Sequence, residues 1–147
     1  MKTNPTRYSS AVGEVWIMMT LKTRYCHNVF DKLAIREFAN ALLVQAMLLY
    51  GIRWQRIGFD SNHVHITLDL GIRSKPIIAK LLKGFTAPRI FKQFSWLRNK
   101  LFRSHGFWNP ATDGRDGDMN FYNKYVDGQK YGVKDVLRNQ SKLTAFV

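Results

Sequence analysis

Two histidines separated by one residue, His63 and His65, have the types and spacing that could support chemistry. They open a run, His63 to Leu70, in which polar and apolar residues alternate. Side chains on a strand alternate between faces, so both imidazoles would project from the same face. Imidazole is a common metal ligand, and a strand holds two of them with little conformational freedom left to lose. The pair predicts a metal site, although two histidines do not complete one and such pairs also occur as surface residues.

A second pair, Tyr125 and Gln129, lies four residues apart near the end of the chain and would share one helix face. A side-chain amide oxygen is a hard ligand suited to Mg²⁺ or Mn²⁺. A tyrosine hydroxyl can act as a covalent nucleophile toward phosphorus. Helical tyrosines are more often packing residues, so the spacing alone does not assign either role.

The histidines must be positioned by strands. Ser61-Asn62 turns the chain directly from one apolar run into the histidine run, which predicts an antiparallel hairpin. Four runs have strand composition: Val12 to Leu21, Ile52 to Asp60, His63 to Leu70 and, more briefly, Phe107 to Ala111. The last is followed by a loop rich in Gly and Asp, Thr112 to Asp118.

The segments between the predicted strands have the apolar periodicity of helices. Asp31 can cap a first helix that runs to Tyr50 and ends at Gly51, with an apolar stripe of Ile35, Phe38, Leu42, Ala46 and Leu49.

A second helix is predicted to begin at the cap Ser74, with Pro76 in its first turn. Its predicted apolar stripe is Ile77, Leu81 and Phe85, and Gly84 and Pro88 are expected to interrupt it before a continuation toward Phe94. A third helix is predicted over Met119 to Tyr131, ended by Gly132, and Val133 to Val147 form a basic tail.

This order of elements is typical of an α+β, ferredoxin-like (RRM-like) β-α-β-β-α-β sandwich with an antiparallel sheet. An extra C-terminal helix would carry Tyr125. The 147 residues suit a single domain with its core at about residues 12–131. The helices are expected to cover one sheet face, which leaves the face of His63 and His65 open.

The charge distribution points to a polyanion. Lys and Arg number 23 against 10 Asp and Glu, for a net charge of +13 and a pI of about 10.2. Nine basic residues and no acidic one lie between Arg73 and Arg103. A compact domain this basic is expected to bind nucleic acid through its phosphates. The candidate contacts are Arg73, Lys80, Lys83 and Arg89.

Cys26 is the only cysteine, which excludes an internal disulfide and suits a reducing cytosol. No run approaches the roughly 20 apolar residues of a membrane span, and the first ten residues are polar. We therefore expect a cytoplasmic protein without a membrane partner.

Several segments, taken in order, resemble the single-tyrosine HUH transposases of insertion sequences, the IS-two-hundred/six-hundred-and-five (IS200-like) type. The segments are Lys22-Thr23-Arg24-Tyr25, Ser61-Asn62-His63-Val64-His65-Ile66, Leu81-Leu82-Lys83-Gly84, His105-Gly106-Phe107-Trp108 and Lys124-Tyr125-Val126-Asp127-Gly128-Gln129. The likeness covers roughly Val12 to Lys130. Asn62 departs from it, because an aspartate is common at that position.

The resemblance implies a DNA transposase in which His63, His65 and Gln129 bind a divalent cation, Mg²⁺ or Mn²⁺. Tyr125 would attack single-stranded DNA, remain attached to the 5′ phosphate and leave a free 3′ hydroxyl. The expected partners are single-stranded DNA with subterminal hairpins at element ends and a second copy of the chain in a homodimer. The expected location is the cytoplasm of a prokaryote, at the nucleoid.

Two alternatives share parts of this pattern. A non-catalytic single-stranded nucleic-acid-binding module of ferredoxin-like fold would explain the charge and an open sheet face, but not two histidines on that face. A replication initiator or relaxase would share the HUH chemistry, but those chains are generally longer and often place the tyrosine elsewhere.

Overall fold

The structure is a computed structural model that describes residues 14–103 and 105–132. The strands of this part of the chain are β1 (Trp16–Lys22), β2 (Trp54–Phe59), β3 (His63–Asp69) and β4 (Asp113–Asp116). The helices are α1 (Leu33–Tyr50), α2 (Lys75–Gln93), α3 (Trp96–Lys100) and α4 (Met119–Asp127). Short 3₁₀ turns at Arg24–Cys26 and Val29–Asp31 connect β1 to α1.

The four strands form one antiparallel sheet in the order β2-β3-β1-β4. The predicted hairpin joins β2 to β3, and β3 pairs with β1 along its whole length. This confirms the ferredoxin-like α+β fold. The strand with the two histidines lies inside the sheet, where neighbours on both sides fix its backbone.

The apolar face of β3 is buried as its alternation predicts: Val64, Ile66 and Leu68 are fully buried. They pack in one core with the buried faces of α1 and α2, which also contact each other. That face of the sheet therefore has the expected helix layer.

The first helix begins at a different residue from the one predicted. Asp31 lies in a 3₁₀ turn, and Lys32 takes the cap position of α1 without a side-chain hydrogen bond. The Asp31 carboxylate instead accepts hydrogen bonds from distant residues, described below. The predicted end is confirmed, because Gly51 caps α1 in the left-handed conformation at φ 67°. Leu49, assigned to the apolar stripe, is half-exposed.

The second helix is continuous from Lys75 to Gln93, so the predicted interruption at Gly84 and Pro88 is wrong. Proline removes the hydrogen bond to the carbonyl four residues earlier, here that of Gly84. Both residues are exposed, so solvent can reach that carbonyl.

The buried face of α2 is also rotated by about one residue from the predicted stripe. Its buried residues are Ile78, Ala79, Leu82, Thr86, Ile90 and Phe91, whereas Ile77 is 48% exposed. The cap prediction holds, because the Ser74 hydroxyl accepts a hydrogen bond from the backbone N–H of Ile77 at 3.3 Å.

The fourth strand was predicted in the wrong place. Phe107 and Trp108 are buried, but Trp108 makes only an isolated bridge with Thr23. The strand beside β1 is Asp113–Asp116, inside the segment predicted as a loop. Asp and Gly have low strand propensity, and here the free edge of β1 supplies the pairing that the local sequence does not favour.

The C-terminal helix α4 ends at Asp127, four residues before the predicted end. Asp118 caps its start, with the carboxylate accepting a hydrogen bond from the Asn120 N–H at 3.0 Å. The helix lies on β2 and β3, on the sheet face that was predicted to be open. The predicted tail, residues 133–147, and Val12 lie outside the described residues.

Contrary to the expectation that no run is long enough, α1 could cross a membrane by length and composition alone, with 18 residues and a mean hydropathy of 1.3. In the fold its buried face packs in the core and includes Arg36, whose guanidinium donates to the carbonyl of Phe30 at 2.7 Å. A core helix of this kind meets the same criteria.

Candidate active site

Four residues, one from each strand, lie side by side across the sheet beneath α4. Sheet register places Gly58 of β2 opposite His65 of β3, His65 opposite Thr20 of β1, and Thr20 opposite Asp113 of β4. Residues directly opposite on one face of a sheet have neighbouring side chains. The histidine strand is therefore flanked by one residue without a side chain and by one hydroxyl.

Each histidine is oriented by a hydrogen bond to its Nδ1. His63 Nδ1 donates to the side-chain oxygen of Asn62 at 2.7 Å, and His65 Nδ1 shares a hydrogen bond with the Thr20 hydroxyl at 2.8 Å. The two rings lie 4.7 Å apart, centroid to centroid, at 83°. A hydrogen bond at one ring nitrogen fixes the tautomer and directs the other nitrogen to a ligand.

The other nitrogen of His65, Nε2, is buried and has no hydrogen-bond partner. A buried polar atom without a protein partner is costly, and in native structures it marks a strained or catalytic position or one that binds a water or an ion. When His65 Nδ1 donates to Thr20, Nε2 carries a lone pair that a metal ion could accept.

Both imidazoles are held in the neutral form that binds metals. Burial, and then the neighbouring His63, lower the pKa of His65 to about 4. Burial also lowers the pKa of His63, and Lys22 contributes in the same direction while Asp60 opposes it. Protons therefore compete weakly with a cation at these nitrogens at neutral pH.

Gly58 allows α4 to approach the sheet closely. A Cβ atom at this position would lie 2.4 Å from the carbonyl oxygen of Val126 and 2.8 Å from its Cγ1. Side-chain contacts fix the helix laterally: Thr67 donates to Asn123 Oδ1 at 2.7 Å, and Arg56 forms a 3.1 Å ion pair with Asp127. These contacts join α4 to the sheet of its own chain.

This docking places Tyr125 beside the histidines. Its ring centroid lies 5.3 Å from that of His65 at 74°, and the residue is 46% exposed. A groove of about 480 Å³ opens over the three residues. Its lining also includes Met18, Thr20, Lys22, Asp113, Arg115, Phe121 and Tyr122. The structure thus unites the predicted nucleophile with both predicted histidine ligands.

Gln129 is not part of this groove lining. It follows the end of α4, and its side-chain amide donates to the backbone oxygen of Tyr125 at 3.2 Å. Within residues 14–103 and 105–132, no group of three or more His, Cys, Asp or Glu residues could hold a metal ion. The histidine pair needs an amide, water or substrate oxygen to complete a metal site. Its neutral imidazoles and unpartnered Nε2 fit such a mixed donor set.

The four predicted DNA contacts lie elsewhere. Lys80 and Lys83 line a separate groove of about 620 Å³ between α2 and residues 106–112. Lys83 Nζ donates to three carbonyl oxygens there, with the shortest distance 2.7 Å to Asn109, and burial lowers its pKa. The Arg89 guanidinium donates a hydrogen bond to the Phe85 carbonyl, and its central carbon lies 3.9 Å from the centroid of the Phe85 ring. Arg73 has a buried Nη1 without a partner. Their DNA-binding role remains a prediction.

Sequence reasoning missed three residues that shape the site: Thr20, Asn62 as the partner of His63, and Gly58. The hairpin turn already placed Asn62 next to His63. Thr20 and Gly58 became identifiable only with the register between strands, because their roles depend on facing His65 across the sheet.

The segment that follows α4 contacts β2 and the turn that precedes α1. Tyr131 pairs with Phe59 through two backbone hydrogen bonds of 2.8 and 3.0 Å. Asp31 accepts hydrogen bonds from the hydroxyls of Ser61 at 2.7 Å and Tyr131 at 2.8 Å, and from Lys130 at 3.1 Å. These hydrogen bonds form a cluster around Asp31, the Asp31 cluster, which holds the chain in place just after α4.

The Asp31 cluster predicts a pH-dependent contribution to stability. Hydrogen bonds from Ser61 and Tyr131, and then from Lys130, lower the pKa of Asp31 to about 2. Because the folded pKa lies below the unfolded value near 3.9, the stabilisation is present above about pH 4 and is lost as the pH falls toward 2. Asp31→Asn should therefore lower the free energy of unfolding at pH 7 by roughly 0.5–1 kcal/mol, a small effect because the carboxylate is exposed.

Urea unfolding of Asp31→Asn and the parent at pH 7, 4 and 2.5 checks this expectation. The difference should shrink at the lowest pH, and a constant difference would contradict the role of the ionised carboxylate.

Comparison with known proteins bears on the family and the fold of this chain. Residues 11–129 match the family model described as Transposase IS200 like. No curated protein matches the sequence significantly.

Two solved structures are similar in fold. A candidate transposase from Deinococcus radiodurans R1 aligns with a TM-score of 0.66 at 20% identity, covering 88% of this chain and 98% of the other. A REP-associated tyrosine transposase bound to a REP hairpin aligns with a TM-score of 0.51 at 12% identity, covering 77% of this chain and 62% of the other. At these identities the likeness shows the fold, whereas the family match extends over most of the sequence. The chain belongs to the family of IS200-like transposases.

Proposed function

We propose that this transposase cleaves and rejoins single-stranded DNA through a covalent 5′-phosphotyrosine at Tyr125. The observation that carries the proposal is the position of the Tyr125 ring, 5.3 Å from His65, whose buried Nε2 lacks a partner. The proposed nucleophile and metal ligand then face one groove of about 480 Å³.

The proposed reaction is a transesterification. The Tyr125 oxygen forms a bond to phosphorus as the phenol loses its proton, and the bond from phosphorus to the 3′ oxygen breaks. That oxygen gains a proton and leaves as a 3′ hydroxyl, while the 5′ phosphate stays on the tyrosine. A 3′ hydroxyl can reverse the step on the same or another phosphotyrosine, so strands rejoin without a separate energy source.

A divalent cation, Mg²⁺ or Mn²⁺, held by His63, His65 and Gln129, would supply Lewis-acid polarisation of the phosphate. For this, the Gln129 side chain would have to leave the Tyr125 carbonyl and enter the groove. The chain itself orients the two imidazoles through Asn62 and Thr20, and it places the phenol through the docking of α4. Lys22 lines the groove and pairs in register with His63, where its charge can attract the DNA backbone.

The proposed partner is single-stranded DNA with hairpins near the ends of an insertion sequence. The hairpin bound to the similar REP-associated transposase supports this choice, as does the net charge of +13. We further propose a homodimer acting in the cytoplasm, at the nucleoid of a prokaryote.

A denaturing gel tests the proposed function. The protein is incubated with 5′- or 3′-labelled single-stranded DNA from the ends of its own element, with Mg²⁺, Mn²⁺ or EDTA. We expect a metal-dependent band that resists denaturation and carries label only from the DNA 3′ of the cut. Tight binding without such a band in any metal would instead indicate a non-catalytic nucleic-acid-binding module.

The orienting role of Thr20 gives a separate prediction. Thr20→Val keeps the shape of the side chain but removes the hydroxyl that bonds His65 Nδ1. Loss of such a partner typically weakens metal binding by about 10- to 100-fold.

Mn²⁺ affinity, measured by calorimetry or electron paramagnetic resonance, should fall accordingly in Thr20→Val. Thr20→Ser retains the hydroxyl and should bind Mn²⁺ nearly as well as the parent. Equal Mn²⁺ affinity in the valine and serine variants would contradict this role.

A further inference from the structure

The turn after β1 holds an unusual backbone. Among the described residues, positive φ outside glycine occurs at Tyr25 (63°), Cys26 (56°) and Arg103 (49°). Tyr25 and Arg103 line one pocket of about 390 Å³, and Cys26 lies between Tyr25 and His27, another lining residue. Such strain persists where the surrounding structure imposes it, and it clusters at functional sites.

Histidine rings hold the edges of Tyr25. The His27 ring lies 5.9 Å from it at 74°, and the His105 ring lies 6.0 Å from it at 71°. His27 is itself fixed, because its Nε2 donates to the Leu101 carbonyl at 2.6 Å and its ring packs on Phe102. Tyr25 is nevertheless 50% exposed as a residue. Its ring has histidine neighbours at two edges, and the exposed part of the residue remains available to a ligand.

The surroundings of this ring are cationic. Lys100 and Arg103 line the pocket, and the Arg24 guanidinium lies 5.8 Å from the Tyr25 centroid. No Asp or Glu is among the lining residues. An exposed aromatic ring among basic side chains is the arrangement that stacks bases and binds the phosphates of single-stranded nucleic acid.

The turn is joined directly to the proposed active site. Thr23 donates its N–H to the Asn62 carbonyl at 2.9 Å, and its hydroxyl lies 2.9 Å from the His27 carbonyl oxygen and 3.1 Å from that of Asn62. Asn62 is also the residue that orients His63. Tyr25 lies three residues beyond Lys22, which lines the active-site groove, so at most about 11 Å of backbone separates them.

We infer that Tyr25 is a base-stacking residue that binds an unpaired base of the DNA strand near the phosphate attacked by Tyr125. The inference rests on the proposed function and adds a subsite to it. Arg103 and Lys100 would bind the adjoining phosphate, and the strained backbone would keep the ring directed outward.

The strain supplies a selective test. Tyr25→Gly removes the ring but is compatible with positive φ, so relief of backbone strain should partly offset the lost ring contacts and the variant should stay folded at the assay temperature. The test uses the Tyr125→Phe background in EDTA, where no covalent step occurs, and measures single-stranded oligonucleotide binding by fluorescence anisotropy. We expect Tyr25→Gly to weaken binding roughly 5- to 150-fold, the usual range for one stacked base. Tyr25→Phe keeps the ring and should stay within about twofold of the parent.

The single cysteine gives a second readout. Cys26 is exposed and adjacent to Tyr25. Bound single-stranded DNA should slow its alkylation by iodoacetamide, followed by mass spectrometry, and Tyr25→Gly should reduce that protection at the same DNA concentration.

The outcomes separate the two proposals. If the parent binds and captures DNA but Tyr25→Gly binds it equally well, the stacking subsite is wrong and the proposed function stands. If the parent neither binds single-stranded DNA nor forms a covalent product, the proposed function fails and the subsite fails with it.

Discussion

Tyr125→Phe is expected to abolish the covalent protein–DNA product while single-stranded DNA binding stays within about twofold of the parent. The substitution removes one oxygen and keeps the ring that packs beside His65. Without that oxygen no bond to phosphorus can form at this position. A denaturing gel measures the product, and anisotropy with the same oligonucleotide measures the binding.

Tyr122 provides the matched control. It lines the same groove on the same helix, but its hydroxyl donates to the Asp116 carbonyl at 3.1 Å. Tyr122→Phe should therefore keep the covalent product. Normal product from Tyr125→Phe, together with loss in Tyr122→Phe, would transfer the nucleophile role to Tyr122.

Gly58→Ala is expected to lower the rate of covalent capture by roughly 100-fold, the usual cost of misplacing a reacting group by about 1 Å. The added Cβ would lie 2.4 Å from the Val126 carbonyl oxygen, so α4 must move away from the sheet. Both histidines and the basic surface remain in place, so DNA binding should change much less. Single-turnover capture at saturating DNA isolates the rate from the affinity.

Gly84→Ala serves as the control for glycine replacement. A Cβ there meets nothing within 4 Å, and the position is an exposed site inside α2. Replacing this glycine should leave the capture rate unchanged and stabilise the protein by up to about 1 kcal/mol. Capture by Gly58→Ala at the parent rate would show that the docking of α4 on Gly58 does not position the nucleophile.

The parts of the fold that follow from local sequence were predictable. Strict alternation in His63 to Leu70 marks a strand with one apolar face, and the two-residue turn before it sets the hairpin. Gly51 and Ser74 cap helices by chemistry that acts within a few residues. The proximity of Tyr125 to the histidines was predictable only through the resemblance, since the two segments lie about 60 residues apart.

The parts that depend on tertiary pairing were not predictable. Strand β4 forms from Asp113–Asp116 because β1 offers an unpaired edge, and nothing in its own composition favours a strand. Helix α4 ends at Asp127 because the chain beyond it turns to pair Tyr131 with Phe59 of β2. Thr67 and Asp69 are fully buried, although the alternation placed them on an open face. Asn123 covers Thr67, and Arg53 pairs with Asp69 at 3.0 Å.

Helix α4, which carries Tyr125, packs on Gly58 of its own chain. Just beyond the end of this helix, Tyr131 pairs with Phe59. In this docking the Tyr125 of each polypeptide lies beside the histidines of the same polypeptide. Under the proposed function, this arrangement would make the site of each copy independent of the histidines of its neighbour. Selection on this site would then act on each encoded chain separately, even where the chains assemble in pairs.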